Sequence, residues 1–181
     1  SYSATDAALS ALGEMPLSSI DAAWLVDALT REGLSRGIGE MLQKADALPK
    51  GIDVERLKGL VFDPSHRDVA LAVLGSPKLV KPRELGLGWL LALARRADPA
   101  LHDFAHRILL SSMKPADFDD GGKTEAGVTR LFALAAGEKE PEPVRVFAQT
   151  YLRCHHPVIG PAQSEAKELE LKAALDRSAF T

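Results

Sequence analysis

The sequence has a single cysteine, Cys154, and few aromatic residues, which make up 6% of the chain. One cysteine excludes an internal disulfide framework and is typical of a reducing compartment, so we expect a cytoplasmic protein. No apolar run approaches the roughly 18 residues that a membrane-spanning helix needs, and we expect no membrane contact. The sustained alternation of apolar and polar residues that marks a half-buried strand is also lacking.

The composition favours helices. Apolar residues make up 46% of the 181 residues, which is enough to bury a core. Alanine and leucine dominate this fraction, whereas β-branched residues are sparse, and this balance predicts an all-α protein. The net charge of −3 argues against a broad phosphate-binding surface but is compatible with a local basic patch. Because the chain begins at Ser1 without a methionine, we expect it to be a piece of a longer protein.

One helical pattern occurs three times. In its clearest copy, Asp98 is placed to cap a helix and Pro99 suits the first helical position. The apolar residues that follow form one stripe, namely Leu101, Phe104, Ala105, Ile108 and Leu109. Similar segments follow Asp63-Pro64 and Glu142-Pro143, and with Ala70, Ala105 and Ala148 aligned the copies lie 35 and 43 residues apart.

This spacing predicts an α-α superhelix of stacked antiparallel helical hairpins, with about ten helices joined by short turns. We expect one all-helical domain over residues 1–181. It has N-terminal helices in 1–50, a repeat core in 53–153, and an irregular segment with a capping helix in 154–181. An irregular helical bundle with three similar helix starts is the alternative. Local predictions are one helix over residues 83–97, a polar loop over 114–122, a helix end at 154–157 and a last helix over 162–174.

The helix starts, the Val/Phe-Ala core pairs and the period resemble HEAT-like α-helical repeats (α-solenoid proteins) over residues 53–153. The segments 98–105 and 151–157 also resemble helical-repeat segments of bacterial proteins that contain WGR modules, although no WGR triplet occurs here. The resemblance implies a scaffold with a concave binding face, most often for protein and sometimes for nucleic acid. It implies no catalytic residues.

Two histidines are candidate metal ligands. His102 and His106 lie one helical turn apart, so both could reach a single zinc ion. In the zincin motif a glutamate follows the first histidine and acts as the general base, and Asp103 occupies that position here. No third ligand follows at a family spacing, and the pattern therefore favours a solvated helix face over a metal site.

Cys154, His155 and His156 form the densest cluster of soft ligands. Adjacent side chains point apart on a helix, which makes chelation of one metal by all three unfavourable. A catalytic Cys–His pair would also need an oxyanion site, which the sequence does not reveal. We favour a local role for this cluster at a helix C-terminus, where histidine is stabilising.

Four arginines are candidate binding residues: Arg67, Arg107, Arg145 and Arg153. Arg67 and Arg145 occupy equivalent positions in two copies of the pattern, which would suit a ladder along one face of the stack. Nearby acidic residues make an ordinary salt-bridged surface the favoured interpretation.

These observations give three hypotheses. The first is a non-catalytic helical-repeat scaffold that binds a protein partner as part of a larger bacterial protein, with no cofactor. The alternative is a nucleic-acid-associated helical repeat that uses an arginine-lined face. The third is a metal-dependent hydrolase that uses His102 and His106.

Overall fold

The computed structural model describes residues 4–159, and within that range the chain is all-helical with no β-strand. The predicted all-α class is confirmed. The predicted helix over 162–174 lies outside the described residues. The α-helices are α1 (Ala4–Gly13), α2 (Ala22–Ala28), α3 (Ser35–Lys44), α4 (Val54–Leu60), α5 (Arg67–Leu74), α6 (Pro82–Leu85), α7 (Leu87–Ala94), α8 (Pro99–Ser112), α9 (Thr124–Ala136) and α10 (Glu142–Ile159). Two short 3₁₀-helices, Leu17–Ser19 and Pro115–Phe118, lie between them.

The chain divides into two compact units, Ser1–Leu85 and Gly86–Thr181. The boundary falls at Gly86, whose φ of 78° separates α6 from α7. Glycine adopts this left-handed conformation readily because it has no Cβ. The prediction of one helix over 83–97 is therefore wrong, since two helices meet at this glycine. The division of a single domain into 1–50, 53–153 and 154–181 stays a prediction.

Aspartate side chains cap three of the helices. Asp98 accepts a hydrogen bond from the Ala100 N–H at 3.1 Å, and Pro99 occupies the first position of α8, as the sequence predicts. Asp53 caps α4 in the same way. Asp21 caps α2 through the Trp24 N–H. In the copy that follows Asp63, the helix begins only at Arg67, because residues 64–66 form turns first.

In the first unit, helices α2 to α5 form two consecutive pairs that join through α3 and α5, and α1 also contacts α3. α2 packs on α3, α4 packs on α5, and α3 packs on α5. The α3–α5 contact is close: a Cβ added at Gly39 would lie 2.4 Å from Val69 Cγ1. Ile38 and Leu42 of α3 and Ala70 and Val73 of α5 are buried in this core.

The second unit also has two consecutive pairs joined through their second helices, and α10 contacts α7 as well. α7 packs on α8, α9 packs on α10, and α8 packs on α10. The 3₁₀-helix Pro115–Phe118 lies against α9 and places Phe118 in the core at 0% exposure. The prediction of a polar loop over 114–122 is thus wrong for its first half, because the phenyl ring of Phe118 packs on Phe147 and Tyr151.

The last described helix is longer than the sequence predicts. α10 continues through 154–157 to Ile159, so the predicted helix end there is wrong. The inward face of the helix explains this continuation. The His155 ring stacks on Tyr151 with a centroid separation of 4.1 Å. Its Nε2 also lies 3.3 Å from the carbonyl oxygen of Leu110 in α8. Pro157 has no backbone N–H, so the helix lacks one hydrogen bond in this turn, and the contacts of His155 stabilise the turn in its place.

Candidate functional site

His102 and His106 lie on α8 as the sequence predicts, with their rings stacked at a centroid separation of 5.5 Å. His102 uses both nitrogens in local contacts. Its Nδ1 lies 3.2 Å from the Arg96 carbonyl oxygen, and its Nε2 lies 3.2 Å from an oxygen of Asp103. The His102 imidazole is therefore held by its own helix and the turn before it.

His106 lies deeper, against α10. Its ring centroid is 5.6 Å from that of Phe147, and its buried Nε2 has no hydrogen-bond partner. Burial lowers the pKa of His106, and the neighbouring His102 lowers it further. Asp103 and a hydrogen bond with the Pro143 backbone act in the opposite direction. The environment thus favours the neutral imidazole.

A metal site here would need a third ligand. Among the residues that the structure describes, no group of three or more His, Cys, Asp or Glu side chains is arranged to hold a metal ion. His102 and His106 therefore lie near each other and near Asp103, but within the described residues these side chains do not form a metal-binding group.

Cys154 and His155 face different surroundings. Cys154 is exposed, whereas His155 is half-buried against Tyr151 and α8. Successive residues of a helix point about 100° apart, and this explains why the two side chains diverge. The side chain of His156 lies outside those that the structure describes. The geometry brings no Cys–His pair together among the described side chains.

The four candidate arginines have separate environments. Arg67 lies in the first unit and donates from Nε to the Val61 carbonyl oxygen at 3.1 Å, so part of its guanidinium joins α5 to the end of α4. The other three lie in the second unit, where Arg107 and Arg153 are exposed and Arg145 is half-buried. The Arg145 Nε is buried without a hydrogen-bond partner.

Arg107 also has a contact of its own. Its guanidinium carbon lies 5.7 Å from the ring centroid of Phe104, which is the geometry of a cation–π interaction. Arg107 and Arg153 remain exposed positive charges that a binding partner could reach. The arginine-lined face stays a prediction.

A groove in the first unit offers a different candidate site. It has a volume of about 640 Å³ and lies where the first turns of α3 and α5 meet the turn after α2. We call it the α3–α5 groove. Its walls are formed by Thr30, Glu32, Gly33, Ser35, Arg36, Ser65, His66 and Val69. Hydroxyl, imidazole, guanidinium and carboxylate groups thus meet in one depression.

Some polar groups of the groove already form hydrogen bonds or ion pairs within the chain. Thr30 donates its hydroxyl to the Asp27 carbonyl oxygen at 2.7 Å. Arg36 pairs with Glu40 at 3.0 Å, yet its side chain is 89% exposed. Two polar atoms differ from these, because the buried Ser35 Oγ and His66 Nδ1 have no hydrogen-bond partner.

The sequence did not reveal this groove. Its two walls are about thirty residues apart in the chain, and neither contains a recognisable motif. Only the packing of α3 on α5, made close by Gly39, brings Ser35 and His66 to the same depression. The one local signal is Gly33, whose φ of 81° turns the chain into α3.

Comparison with known proteins gives no relative: no protein-family model, curated protein or solved structure matches the chain. The likeness to HEAT-like repeats and to WGR-containing proteins therefore stays an expectation from the sequence. Every helix in residues 4–159 is too short or too polar to cross a bilayer.

Proposed function

We propose that this chain is a non-catalytic helical-repeat module that binds a protein partner and belongs to a larger bacterial cytoplasmic protein. One observation carries the proposal. In each unit two consecutive helix pairs form, and the second helix of one pair packs on the second helix of the other, while α1 also contacts α3 and α10 also contacts α7. This is the neighbour pattern expected of stacked helical hairpins, in which each pair buries its apolar stripe against the following pair.

The repeated sequence pattern agrees with this pairing. Its three copies fall on α5, α8 and α10, each of which is the second helix of a pair. The aligned alanines Ala70, Ala105 and Ala148 are at most 1% exposed. A small side chain at these positions lets neighbouring helices approach closely, as a stack requires.

Binding of a partner is supported by the surfaces that this pairing leaves open. The α3–α5 groove is a concave surface with donors and acceptors on both walls. In the second unit, Val146 of α10 is a large apolar residue with 46% of its surface exposed. Each of these surfaces is of a kind that protein interfaces use, the groove for polar contacts in the first unit and Val146 for an apolar contact in the second.

The test is reconstitution with purified components. The chain is immobilised, proteins of the source organism are passed over it, and an unrelated helical protein of the same net charge serves as the control. A retained protein is then purified, and its binding is measured by calorimetry with and without nuclease. We expect saturable binding that is unaffected by nuclease.

Two outcomes would contradict the proposal. If no retained protein binds once purified, the module does not act as a protein-binding scaffold under these conditions, and the proposal fails. If retention depends on nucleic acid and falls steeply with salt, the arginine-based nucleic-acid hypothesis replaces it.

A further inference from the structure

The first helix, α1, lies on α3 through a leucine that fills the space above a glycine. A Cβ added at Gly37 of α3 would lie 2.6 and 2.7 Å from the two methyl carbons of Leu9. Glycine weakens a helix relative to alanine because it loses more backbone entropy on folding. Its presence in α3 is explained here, since the Leu9 side chain reaches the α3 backbone only where no Cβ intervenes. We call this space the Gly37 notch.

The notch is part of a longer apolar strip on α3. Leu34 and Met41 lie three residues before and four residues after Gly37, so all three share one side of the helix. Each of the three is half-buried. Gly39 faces the opposite way, toward Val69 of α5. The strip Leu34–Gly37–Met41 is therefore separate from the side of α3 that packs on α5, and α1 is the helix that lies on it.

The α1 helix is held on this strip by little buried surface. None of the α1 side chains that the structure describes is buried: Leu9 and Leu12 are half-buried and the others are exposed. At least three residues are buried in each of α3, α5, α7, α8 and α9. Local stability follows buried apolar contact, so a helix with so few such contacts opens before the rest of its unit unfolds.

The seated α1 also shows what kind of segment fits the strip. Leu9 and Leu12 are three residues apart, which places both on one face of the helix. The charged residues nearest the notch in α3 are Arg36 and Glu40, and they pair with each other at 3.0 Å. The strip thus offers apolar contact to an amphipathic helix with leucines at this spacing, which is a common mode of peptide recognition.

We propose that α1 is a displaceable cover, and that the strip it covers docks a leucine-bearing amphipathic helix of the protein partner. The partner's leucine enters the Gly37 notch in place of Leu9. The inference rests on the proposed function, because it names the segment that the scaffold recognises. The cover lowers the apparent affinity for the partner in proportion to the fraction of chains in which α1 is docked.

The experiment is a titration of the isotope-labelled full chain, followed by backbone amide chemical shifts. The probe is an N-acetylated, C-amidated peptide of residues 4–14, and its control is the same peptide with Leu9→Ala. The tethered α1 competes at an effective concentration on the order of millimolar, so the titration extends to several times that value. We expect the probe to shift the amides of Gly37 and Met41, and the control peptide to leave them unchanged.

Two kinds of variant locate the interaction. The Leu9→Ala chain has a weakened cover, so we expect it to reach half-saturation at about fivefold lower probe concentration than the wild type. In that background Gly37→Ala is expected to weaken probe binding by about fivefold or more, because the added Cβ fills the notch. The atoms that this Cβ would meet belong to Leu9, so the Leu9→Ala background removes the clash and circular dichroism should be unchanged.

Gly59→Ala in the same background is the matched control. Gly59 lies in α4 of the same unit, and a Cβ there meets nothing within 4 Å. Its probe affinity is expected to match that of the Leu9→Ala chain. The inference is overturned if the probe leaves Gly37 and Met41 unshifted in the Leu9→Ala chain, or if the two glycine variants weaken binding equally.

A purified partner separates this inference from the proposed function. We expect Leu9→Ala to strengthen partner binding and Gly37→Ala in that background to weaken it. Weaker binding to Leu9→Ala would show that α1 is itself part of the interface, and the cover would be refuted. Equal binding to every variant would end the strip proposal and leave the scaffold proposal standing. Concentration-dependent dimerisation of the free chain that Gly37→Ala abolishes would assign the strip to α1 of a second copy instead.

Discussion

Substitution of Gly127 by alanine tests the packing of the second unit. Gly127 lies in α9 where the 3₁₀-helix Pro115–Phe118 crosses it. A Cβ at this position would lie 1.8 Å from the Pro115 carbonyl oxygen and 2.8 Å from its carbon. Ordinary contact begins at 3.4 Å, so the backbone of the 3₁₀-helix would have to retreat by about 1.6 Å.

That movement would not stay local. Phe118, at the end of the 3₁₀-helix, is fully buried and its ring packs on Phe147 and Tyr151 of α10. Overpacking a core costs about 1–3 kcal/mol, and more where backbone must move, whereas alanine in a helix gains about 1 kcal/mol over glycine. We therefore expect Gly127→Ala to lower the free energy of unfolding by about 2 kcal/mol.

The assay is urea denaturation followed by circular dichroism, with Gly88→Ala as the matched control. Gly88 lies in α7 of the same unit, and a Cβ there meets nothing within 4 Å. The control is expected to raise the free energy of unfolding by about 0.5–1 kcal/mol, because alanine loses less backbone entropy than glycine. Opposite signs for the two variants support the packing. Equal effects would show that the 3₁₀-helix does not lie on α9 as described.

The remaining predictions concern hydrogen bonds and titrating groups of the second unit. Tyr151 donates its hydroxyl to a buried carbonyl oxygen at 2.8 Å, so Tyr151→Phe should cost about 1–2 kcal/mol in urea denaturation at pH 7. Burial also raises the pKa of this hydroxyl. Above about pH 10 only the unfolded tyrosine ionises, so the free energy of unfolding should fall there, and it should fall less in Tyr151→Phe. The pKa of His106 is lowered in the folded state. The stabilising contribution of His106 is therefore present above about pH 6.5 and is lost as the pH falls. His106→Gln should reduce the decline in the urea midpoint between pH 7 and pH 5. Glu140 accepts two guanidinium hydrogen bonds at 2.9 Å, which lower its pKa, so Glu140→Gln should reduce the urea midpoint at pH 7 but hardly at pH 3. The more exposed Glu40→Gln should change the midpoint less at pH 7, and an equal change would refute this ranking.

The features that could be predicted from the sequence are those determined by neighbouring residues. Asp98 and Pro99 specify the start of α8 through one capping bond and one fixed φ angle, and the structure has both. The stripe that follows is buried because its spacing matches the helical period. Helix type is a local property that a single sequence can predict, but a helix start is not always so, since the same Asp-Pro signal at Asp63 is followed by a helix only from Arg67.

The incorrect predictions have other causes. At Gly86 the chain adopts a positive φ although the surrounding residues favour one continuous helix. At Phe118 an apparently polar loop supplies a core residue, since its partners Phe147 and Tyr151 lie about thirty residues further along the chain. The α3–α5 groove was missed for the same reason. At Phe118 and at the groove tertiary contacts, which no local pattern encodes, decide the outcome, whereas at Gly86 it is the backbone freedom of glycine that ends the helix.

The repeat hypothesis gains most from what the three copies have in common in the structure. If the three helix starts were similar only by coincidence, the copies would fall on the first or the second helix of a pair without preference. In the structure α5, α8 and α10 are all second helices of pairs. The same helices carry a buried alanine at the aligned position, and α8 packs directly on α10. Both observations are what a stack of hairpins predicts, because each pair then buries a small residue against the next, and the stack stays a prediction.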